Sequence, residues 1–224
     1  MHLPFADRRE AAQALAARLL QLRPPAPVVV LALPRGGVPI GAVVARALRA
    51  PLDLILVRKI GAPWQSELAL AAVAEGEPPE IVVDEELRRE AGVGRDWIEQ
   101  QAAVQMQEIA RRRQLYLRGR APVAVQGCSA IVVDDGIATG TTMRAALRAL
   151  RRRQPARLVL AVPVAPQDTL QMLRAEVDQI VCLATPVPFR AVGVHYRNFD
   201  QVEDDEVMAA LAEGTVEPGL DAGQ

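Results

Sequence analysis

The sequence predicts an α/β fold, built on an open, twisted parallel β-sheet with flanking helices. Two observations support this prediction. Apolar runs of strand length, such as "PVVVLAL" (27–33), have no polar face, which is typical of strands buried on both sides. Stretches with apolar residues at helical spacing lie between these runs, and the order strand, turn, helix, strand within about 30 residues indicates βαβ units.

The first half of the chain begins with a helix and continues with one such unit. Residues 7–22 have helical periodicity, with Asp7 as the N-cap. The strand 27–33 is followed by the turn "PRGG", a helix over 38–49 and a second buried strand, "LDLILVR" (52–58). The apolar positions that predict the first helix are Ala11, Leu15, Leu19 and Leu22.

The second half of the chain repeats the pattern and adds three strands to the predicted sheet. Its elements are a strand at 129–135, a helix at 141–153, a strand at 157–164, a helix at 167–176 and a strand at 179–185. The apolar run in each strand again favours burial on both faces.

Between the two halves the pattern changes. Short strands are predicted at "ALAAVAEG" (69–76) and "EIVVD" (80–84), followed by one long helix over 95–118. We expect a single domain over 1–224 with a helical insertion at about 77–122. The expected apolar contacts of the long helix are Trp97, Val104, Ile109 and Leu115. The end of the chain, 213–224, has the composition of a disordered tail.

Composition limits the possible functions. Half of the residues are hydrophobic and the formal net charge is −1, which gives no support to nucleic-acid or membrane binding. No signal-peptide pattern or membrane-spanning apolar run is present, so a soluble, cytoplasmic protein is expected. Cys128 and Cys182 are far apart, and only His2 and His195 accompany them. Reduced thiols without a zinc site are therefore expected.

The stretch "AIVVDDGIATGTT" (130–142) carries the clearest functional pattern. Asp134 and Asp135 end an apolar strand, and Gly136 and Gly140 lie in the turn that opens the next helix. A helix N-terminus and threonine hydroxyls favour an anion, and the carboxylates suit a sugar diol. The lysine of a P-loop and the fingerprint G-x-G-x-x-G are both missing. A capped helix with solvated aspartates is the alternative.

This stretch resembles the signature of the type I phosphoribosyltransferases, in which an apolar strand and two acidic residues precede T-G-x-T. The resemblance implies that the chain binds 5-phosphoribosyl-1-pyrophosphate. Asp134 and Asp135 would then bind the ribose hydroxyls. The turn would hold the 5-phosphate, and its residues are Gly136, Ile137, Ala138, Thr139, Gly140, Thr141 and Thr142.

Two further loops resemble the family's pyrophosphate-binding segments. In "LPRGGVPIG" (33–41) the resemblance implies that Arg35 and the amides of Gly36 and Gly37 contact the pyrophosphate. In "VRKIGAP" (57–63) it implies Lys59 as the cationic ligand, with Arg58 as the second choice. The simple alternatives are a strand–helix turn and a solvated lysine.

The segments that would cover the substrate are predicted from the same resemblance. "GAPWQSELALAAVAEG" (61–76) resembles a mobile loop, in which Trp64 is either surface or core. The irregular stretch 185–202 resembles the hood that stacks the acceptor, with Phe189 and Tyr196 as acceptor-binding candidates and loop anchoring as the alternative. His195 is interpreted as structural or exposed rather than catalytic.

The resemblance, which covers about residues 5–212, is closest to bacterial predicted phosphoribosyltransferases of undefined acceptor. It implies phosphoribosyl transfer from a magnesium complex of the donor to a nitrogen nucleophile, with Mg²⁺ carried mainly by the donor. Arg35, Lys59, Asp134 and Asp135 are the expected catalytic residues. Ala138 stands where 6-oxopurine enzymes carry an aspartate, so hypoxanthine and guanine are disfavoured.

Two alternatives to this interpretation stay open. One is a non-catalytic module that senses the donor or a nucleotide. The other is a phosphatase or phosphorylase on a similar site. The sequence also leaves open whether the long helix forms a homodimer.

Overall fold

The computed structural model of the chain describes residues 3–213. Its helices are α1 (Arg8–Leu22), α2 (Gly37–Leu48), α3 (Glu85–Glu90), α4 (Arg95–Leu117), α5 (Thr141–Arg152), α6 (Gln167–Leu173) and α7 (Asp204–Glu213). Its strands are β1 (Val28–Ala32), β2 (Leu52–Leu54), β3 (Val57–Ala62), β4 (Gln65–Ala74), β5 (Glu80–Val83), β6 (Ser129–Val133), β7 (Arg157–Val164) and β8 (Gln179–Ala184).

The central sheet has five strands in the order β2-β1-β6-β7-β8, and all of its pairings are parallel. Alternate residues of β1 lie in two different hydrophobic clusters. Val30 packs with residues of α1 and α2, whereas Val29 packs with residues of α5 and α6. Both faces of the sheet are therefore buried, and the predicted α/β fold with a parallel sheet is confirmed.

The predicted strand 52–58 is wrong in one respect, because the chain changes sheets within it. β2 ends at Leu54, and β3 begins at Val57 in a separate antiparallel sheet of order β3-β4-β5. The backbone N–H of Leu56 donates to Oε1 of Glu75 at 3.0 Å, and the N–H of Glu75 donates to the Leu56 carbonyl at 3.0 Å. These bonds draw the chain away from β1 and towards β4.

The segment between the two halves packs against the main sheet through α5, which contacts β3, β4 and β5. Helix α4 buries Ile98, Ala102 and Ile109. Trp97 and Leu115 pack at the edge of the core, as expected. Val104 is 53% exposed, so the prediction that it makes an apolar contact is wrong. Val104 lies on the solvent face because the buried positions follow the opposite side of the helix.

The remaining expectations concern the chain's end, its cysteines and membranes. Residues 214–224 of the expected disordered tail lie outside the described residues, whereas Glu213 ends α7. Cys128 is buried and Cys182 half-buried, and both are free thiols. Within 3–213, no helix has the combination of length and apolar character that crossing a bilayer would require.

Candidate active site

Two loops meet at the carboxyl edge of the parallel sheet. One joins β1 to α2 and the other joins β6 to α5, and the N–H of Leu33 donates to the Val133 carbonyl at 3.0 Å between them. A Cβ on Gly36 would overlap the Asp135 carboxylate, and one on Gly37 would lie 2.8 Å from the Val133 carbonyl oxygen. The loops are in contact, so both open at the same edge of the sheet.

The backbone of the β1–α2 loop differs from the expected pair of anion-binding amides. The N–H of Gly37 donates to the Leu33 carbonyl at 3.0 Å, so the prediction of Gly37 as an amide ligand is wrong in this structure. Gly36 has ordinary helical torsion angles (φ −61°, ψ −30°), and the Pro34–Arg35 peptide bond is cis. The glycines are required for the close approach of the two loops.

The turn after β6 presents an open helix N-terminus. Gly140 is the N-cap of α5 in a left-handed conformation (φ 82°), which glycine adopts without strain, and no side chain caps the helix. Thr139 is exposed, and Thr141 and Thr142 are half-buried. This end of the turn can bind an anion through backbone N–H groups and hydroxyls.

Gly136 and Ile137, in the first part of the same turn, are buried, whereas the next residue, Ala138, is exposed. The side chain of Ile137 is buried and its N–H donates to the Val164 carbonyl at 3.0 Å. The Ala138 carbonyl accepts from the Thr169 hydroxyl at 2.7 Å. A Cβ on Gly136 would lie 2.5 Å from Cγ1 of Val192, so the 185–202 segment packs directly on the turn. The Ile137 amide is therefore not a phosphate ligand here.

Asp134 and Asp135 lie at the centre of this edge, and both are half-buried. Oδ1 of Asp134 accepts the N–H of Asp135 at 2.9 Å. Burial raises the pKa of Asp134 well above its usual range, and the neighbouring Asp135 carboxylate raises it further. Burial also raises the pKa of Asp135, while Arg8 opposes that shift. The pair therefore holds protons more tightly than exposed aspartates do.

Two cavities flank the turn, and Lys59 lines both of them. The first, of about 590 Å³, is also lined by Thr139, Thr141 and Arg144, with an apolar wall from β4 and β5. The second, of about 770 Å³, is bordered by Thr142. Lys59 is exposed and lies beside the open end of the turn, so the structure brings the predicted lysine to the predicted anion site.

The larger cavity, of about 770 Å³, is also lined by Arg58, the second choice for the cationic ligand, whose Nε donates to Oε1 of Gln105 at 3.1 Å. It also contains residues that the sequence did not indicate as part of the site. Trp97, Gln101 and Gln105 line it from one side of α4, at intervals of four residues. Their spacing is visible in the sequence, but nothing there indicates that this side of α4 borders the site.

Arg35 is paired with carboxylates at the start of α7. Its guanidinium is 3.7 Å from carboxylate oxygens of both Glu203 and Asp204, at the start of α7, and it lines neither cavity. Asp204 also accepts from the Tyr116 hydroxyl at 2.6 Å. A pyrophosphate contact from Arg35 requires that side chain to leave these carboxylates.

The two candidate acceptor-binding residues differ in their availability. Tyr196 is 5% exposed and its ring contacts Phe5 and Phe199, so it has no free face for a base. The prediction that Tyr196 stacks the acceptor is wrong for this reason. Phe189 is half-buried against His195, with ring centroids 4.8 Å apart. His195 is buried, which lowers its pKa and agrees with a structural role.

The segment 61–76, which resembles a mobile loop, is largely regular structure. It forms the turn of the β3–β4 hairpin and the ten residues of β4. Trp64 is 64% exposed at the tip of this hairpin, so it belongs to the surface. A closing movement of this hairpin stays a prediction.

Sequence reasoning missed one residue that lies in direct contact with the site. Nε of Arg8 is 2.8 Å from Oδ2 of Asp135, and both side chains are largely buried. In the sequence Arg8 is only the first residue of a capped helix. No local signal connects it with a carboxylate 127 positions further along the chain.

Comparison with known proteins agrees with this geometry. A model of the phosphoribosyl transferase domain matches residues 7–198. Two Mycobacterium tuberculosis proteins, provisionally named phosphoribosyl transferase MT0597 (strain CDC 1551 / Oshkosh) and Rv0571c (strain H37Rv), are each 45% identical over 207 residues. The match covers 92% of this chain but 46% of each relative, so the chain spans about half their length.

A solved structure extends the comparison to the fold. The protein TT1426 from Thermus thermophilus is 42% identical, with a TM-score of 0.79, and the match covers 96% of this chain and 100% of that one. The family match, the relatives and the two loops at one sheet edge all support the resemblance seen in the sequence. The chain belongs to the type I phosphoribosyltransferase family.

Proposed function

We propose that the chain is a phosphoribosyltransferase that moves phosphoribosyl from 5-phosphoribosyl-1-pyrophosphate to a nitrogenous base or a related acceptor. The observation that carries the proposal is the contact between the β1–α2 loop and the β6–α5 turn. A sugar with phosphate at one end and pyrophosphate at the other needs two anion sites on either side of a diol site. Asp134 and Asp135 would form the diol site, the start of α5 the 5-phosphate site, and Lys59, which lines the cavities that flank the turn, the pyrophosphate site.

Each part of the donor then has a binding element with suitable chemistry. The open start of α5, with Thr139, Thr141 and Thr142, receives the 5-phosphate. Asp134 and Asp135 lie where the ribose hydroxyls would be, and carboxylates accept strong hydrogen bonds from hydroxyls. Lys59 borders the remaining space and would stabilise the negative charge that builds on the departing pyrophosphate.

Magnesium fits this arrangement as an ion brought by the donor. Mg²⁺ prefers oxygen ligands and commonly keeps substrate phosphates in its coordination shell. Within residues 3–213, no group of three or more His, Cys, Asp or Glu side chains could hold a metal ion by itself. A bound Mg²⁺ would supply charge neutralisation at the pyrophosphate.

A non-catalytic module that senses the donor is the second candidate, and the position of Arg35 favours it. Arg35 lies beside Glu203 and Asp204, so one of the two expected leaving-group cations is turned away. In a sensor the donor would bind but not turn over.

Pyrophosphate release distinguishes the enzyme from the sensor. The protein is incubated with the magnesium complex of the donor and a panel of purine, pyrimidine and other nitrogen acceptors. We expect acceptor-dependent release of pyrophosphate, and Lys59→Met should lower its rate on the order of a hundred-fold, as expected for loss of one charge-stabilising group. The control is Arg18→Met, which removes a cation from the exposed side of α1 and should leave the rate unchanged. Tight donor binding without release for any acceptor would support the sensor.

The open start of α5 gives a direct structural prediction. A crystal grown with sulfate or phosphate should show an anion within hydrogen-bond distance of backbone N–H groups of 139–142 and of a threonine hydroxyl. The physical reason is the uncapped helix start, where N–H groups and the helix dipole favour negative charge. A crystal at high sulfate concentration in which this position holds only water would contradict the phosphate assignment.

A further inference from the structure

The side chain of Arg8 is fixed by three different partners. Its Nε donates to Oδ2 of Asp135 at 2.8 Å, and its Nη1 donates to the Asp200 carbonyl at 2.7 Å. Its guanidinium carbon lies 3.9 Å from the ring centroid of Phe199. The side chains of Arg8 and Asp135 are 14% and 13% exposed. An arginine with this many contacts occupies one position rather than sampling solvent.

These contacts belong to a larger clasp between the start of the chain and the hood. The N–H of Phe5 donates to the His195 carbonyl at 2.9 Å, and the N–H of Arg197 donates to the Phe5 carbonyl at 2.8 Å. The hydroxyl of Tyr196 donates to the backbone carbonyl of Asp135 at 2.5 Å. The start of the chain and the hood therefore converge on Asp135 together.

The two adjacent carboxylates are consequently in different situations. Asp135 is packed against Gly36 and is paired with Arg8. Asp134 takes part in none of the ion pairs found among residues 3–213, and its Oδ1 accepts only a backbone N–H. Since a diol ligand must have carboxylate oxygens available, Asp134 is the better placed of the two.

We propose that Arg8 is a positioning residue of the donor site. Its ion pair with Asp135 holds the hood and the start of the chain against the ribose-binding turn, and Asp134 is left as the carboxylate that contacts the sugar hydroxyls. This inference rests on the proposed function, and it replaces the equal roles that the sequence suggests for the two aspartates.

The ion pair also has an electrostatic consequence. Burial raises the pKa of both aspartates, and the cation of Arg8 lowers both. Tyr196 is the other titratable group that faces the pair, and its pKa is raised by burial, so it stays neutral. Without Arg8 the pair would take up a proton at a higher pH. Donor binding needs ionised carboxylates. As the pH is lowered, donor affinity would therefore begin to fall at a higher pH without Arg8 than in the wild type.

The test is calorimetric titration of the full chain with the magnesium complex of 5-phosphoribosyl-1-pyrophosphate between pH 5.5 and 8. We expect Arg8→Met to weaken binding at neutral pH about ten-fold, the loss of one charge-assisted contact, and to shift the acidic limb of the profile upwards. Arg8→Lys, which keeps the positive charge, should return the acidic limb of the affinity profile to its wild-type pH. Arg9→Met, at the exposed neighbouring position of α1, should behave as the wild type.

Three outcomes would overturn the inference. The first is an Arg8→Met protein with a lower melting temperature but an unmoved acidic limb, because a merely structural arginine would behave in this way. The second is an Asp135→Asn protein that loses as much donor affinity as Asp134→Asn. The third is additive effects of Arg8→Met and Asp135→Asn on the melting temperature, since paired residues should show coupled effects.

Failure of the proposed function would look different. A wild-type protein that does not bind the donor under any of these conditions would refute both the transferase and the sensor, and with them the role given to Asp134. The Arg8–Asp135 ion pair would then be tested only by the melting temperatures of the two single variants and the double variant. Coupled effects on the melting temperature would show that the ion pair stabilises the fold without a link to donor binding.

Discussion

Replacing Asp134 with Asn is expected to weaken donor binding strongly while making the protein more stable at neutral pH. Asn has nearly the same shape, and its carbonyl oxygen can still accept the N–H of Asp135, as Oδ1 of Asp134 does at 2.9 Å. The substitution removes the negative charge from a half-buried position at the ligand edge of the sheet. The diol would lose its charge-assisted acceptor, whereas the fold would lose an unfavourable buried charge.

The sign of the stability change follows from the raised pKa of Asp134. A carboxyl group whose pKa is higher in the folded than in the unfolded chain favours folding at low pH. That advantage is lost as the pH rises from the unfolded value, near 3.9, through the folded one. Asp134→Asn should therefore match the wild type in acid and exceed it at neutral pH. A gain of about 1 kcal/mol, or about 2–4 °C in melting temperature, is the expected size.

Asp168→Asn is the matched control for this experiment. Oδ1 of Asp168 accepts the N–H of the next residue, Thr169, at 2.9 Å, so its local hydrogen bond is the same, but Asp168 is exposed. We expect this variant to bind the donor normally and to gain no stability at neutral pH. The measurements are calorimetric donor titration and thermal unfolding at several pH values. An Asp134→Asn protein with unchanged donor affinity would refute the diol role of Asp134.

The parallel sheet and the position of the site were predictable because both depend on local patterns. Unbroken apolar runs such as 27–33 indicate strands that are buried on both faces, and alternate residues of β1 do lie in two clusters. Parallel strands present their carboxyl ends at one edge, so the loops after β1 and β6 had to meet there. The glycines and aspartates in these loops could also be recognised from the sequence, because they directly follow the predicted strands.

The features that were missed depend on contacts between distant parts of the chain. The pairing of Arg8 with Asp135 joins residues 127 positions apart, and the exit of the chain from the main sheet depends on Glu75. Tyr196 was predicted to bind the acceptor because its segment resembles the family's hood, but Phe5 and Phe199 cover its ring. Neither periodicity nor motif spacing contains information about such partners.

The two adjacent glycines of the β1–α2 loop should respond to alanine in opposite ways. At Gly36 the new Cβ meets the carboxylate of Asp135, a side chain that can rotate away. At Gly37 it meets the Val133 carbonyl oxygen at 2.8 Å and Cα of Asp134 at 3.0 Å, which are backbone atoms of the central sheet and its turn. A side chain can yield at small cost, whereas a buried strand cannot.

Gly36→Ala is therefore expected to weaken donor binding strongly, with a loss of stability limited to that of the displaced Arg8–Asp135 ion pair, and Gly37→Ala to destabilise the fold through its contact with backbone atoms. Displacing the Asp135 carboxylate breaks its ion pair with Arg8 and pushes it into the space between the two loops, so donor affinity should fall on the order of a hundred-fold, the loss of about two charge-assisted contacts. Gly37→Ala should cost about 1–3 kcal/mol in unfolding free energy, as overpacking of a close-packed core does.

The control for both substitutions is Gly94→Ala, because a Cβ there has no atom within 4 Å and Gly94 has an ordinary φ of −73°. It should leave donor affinity and melting temperature close to the wild-type values. The three proteins are compared by thermal unfolding and by calorimetric titration with the magnesium complex of the donor. If Gly36→Ala binds the donor as the wild type does, the space between the two loops is not the donor site. The contact between those loops, which carries the proposed function, would then have only a structural meaning.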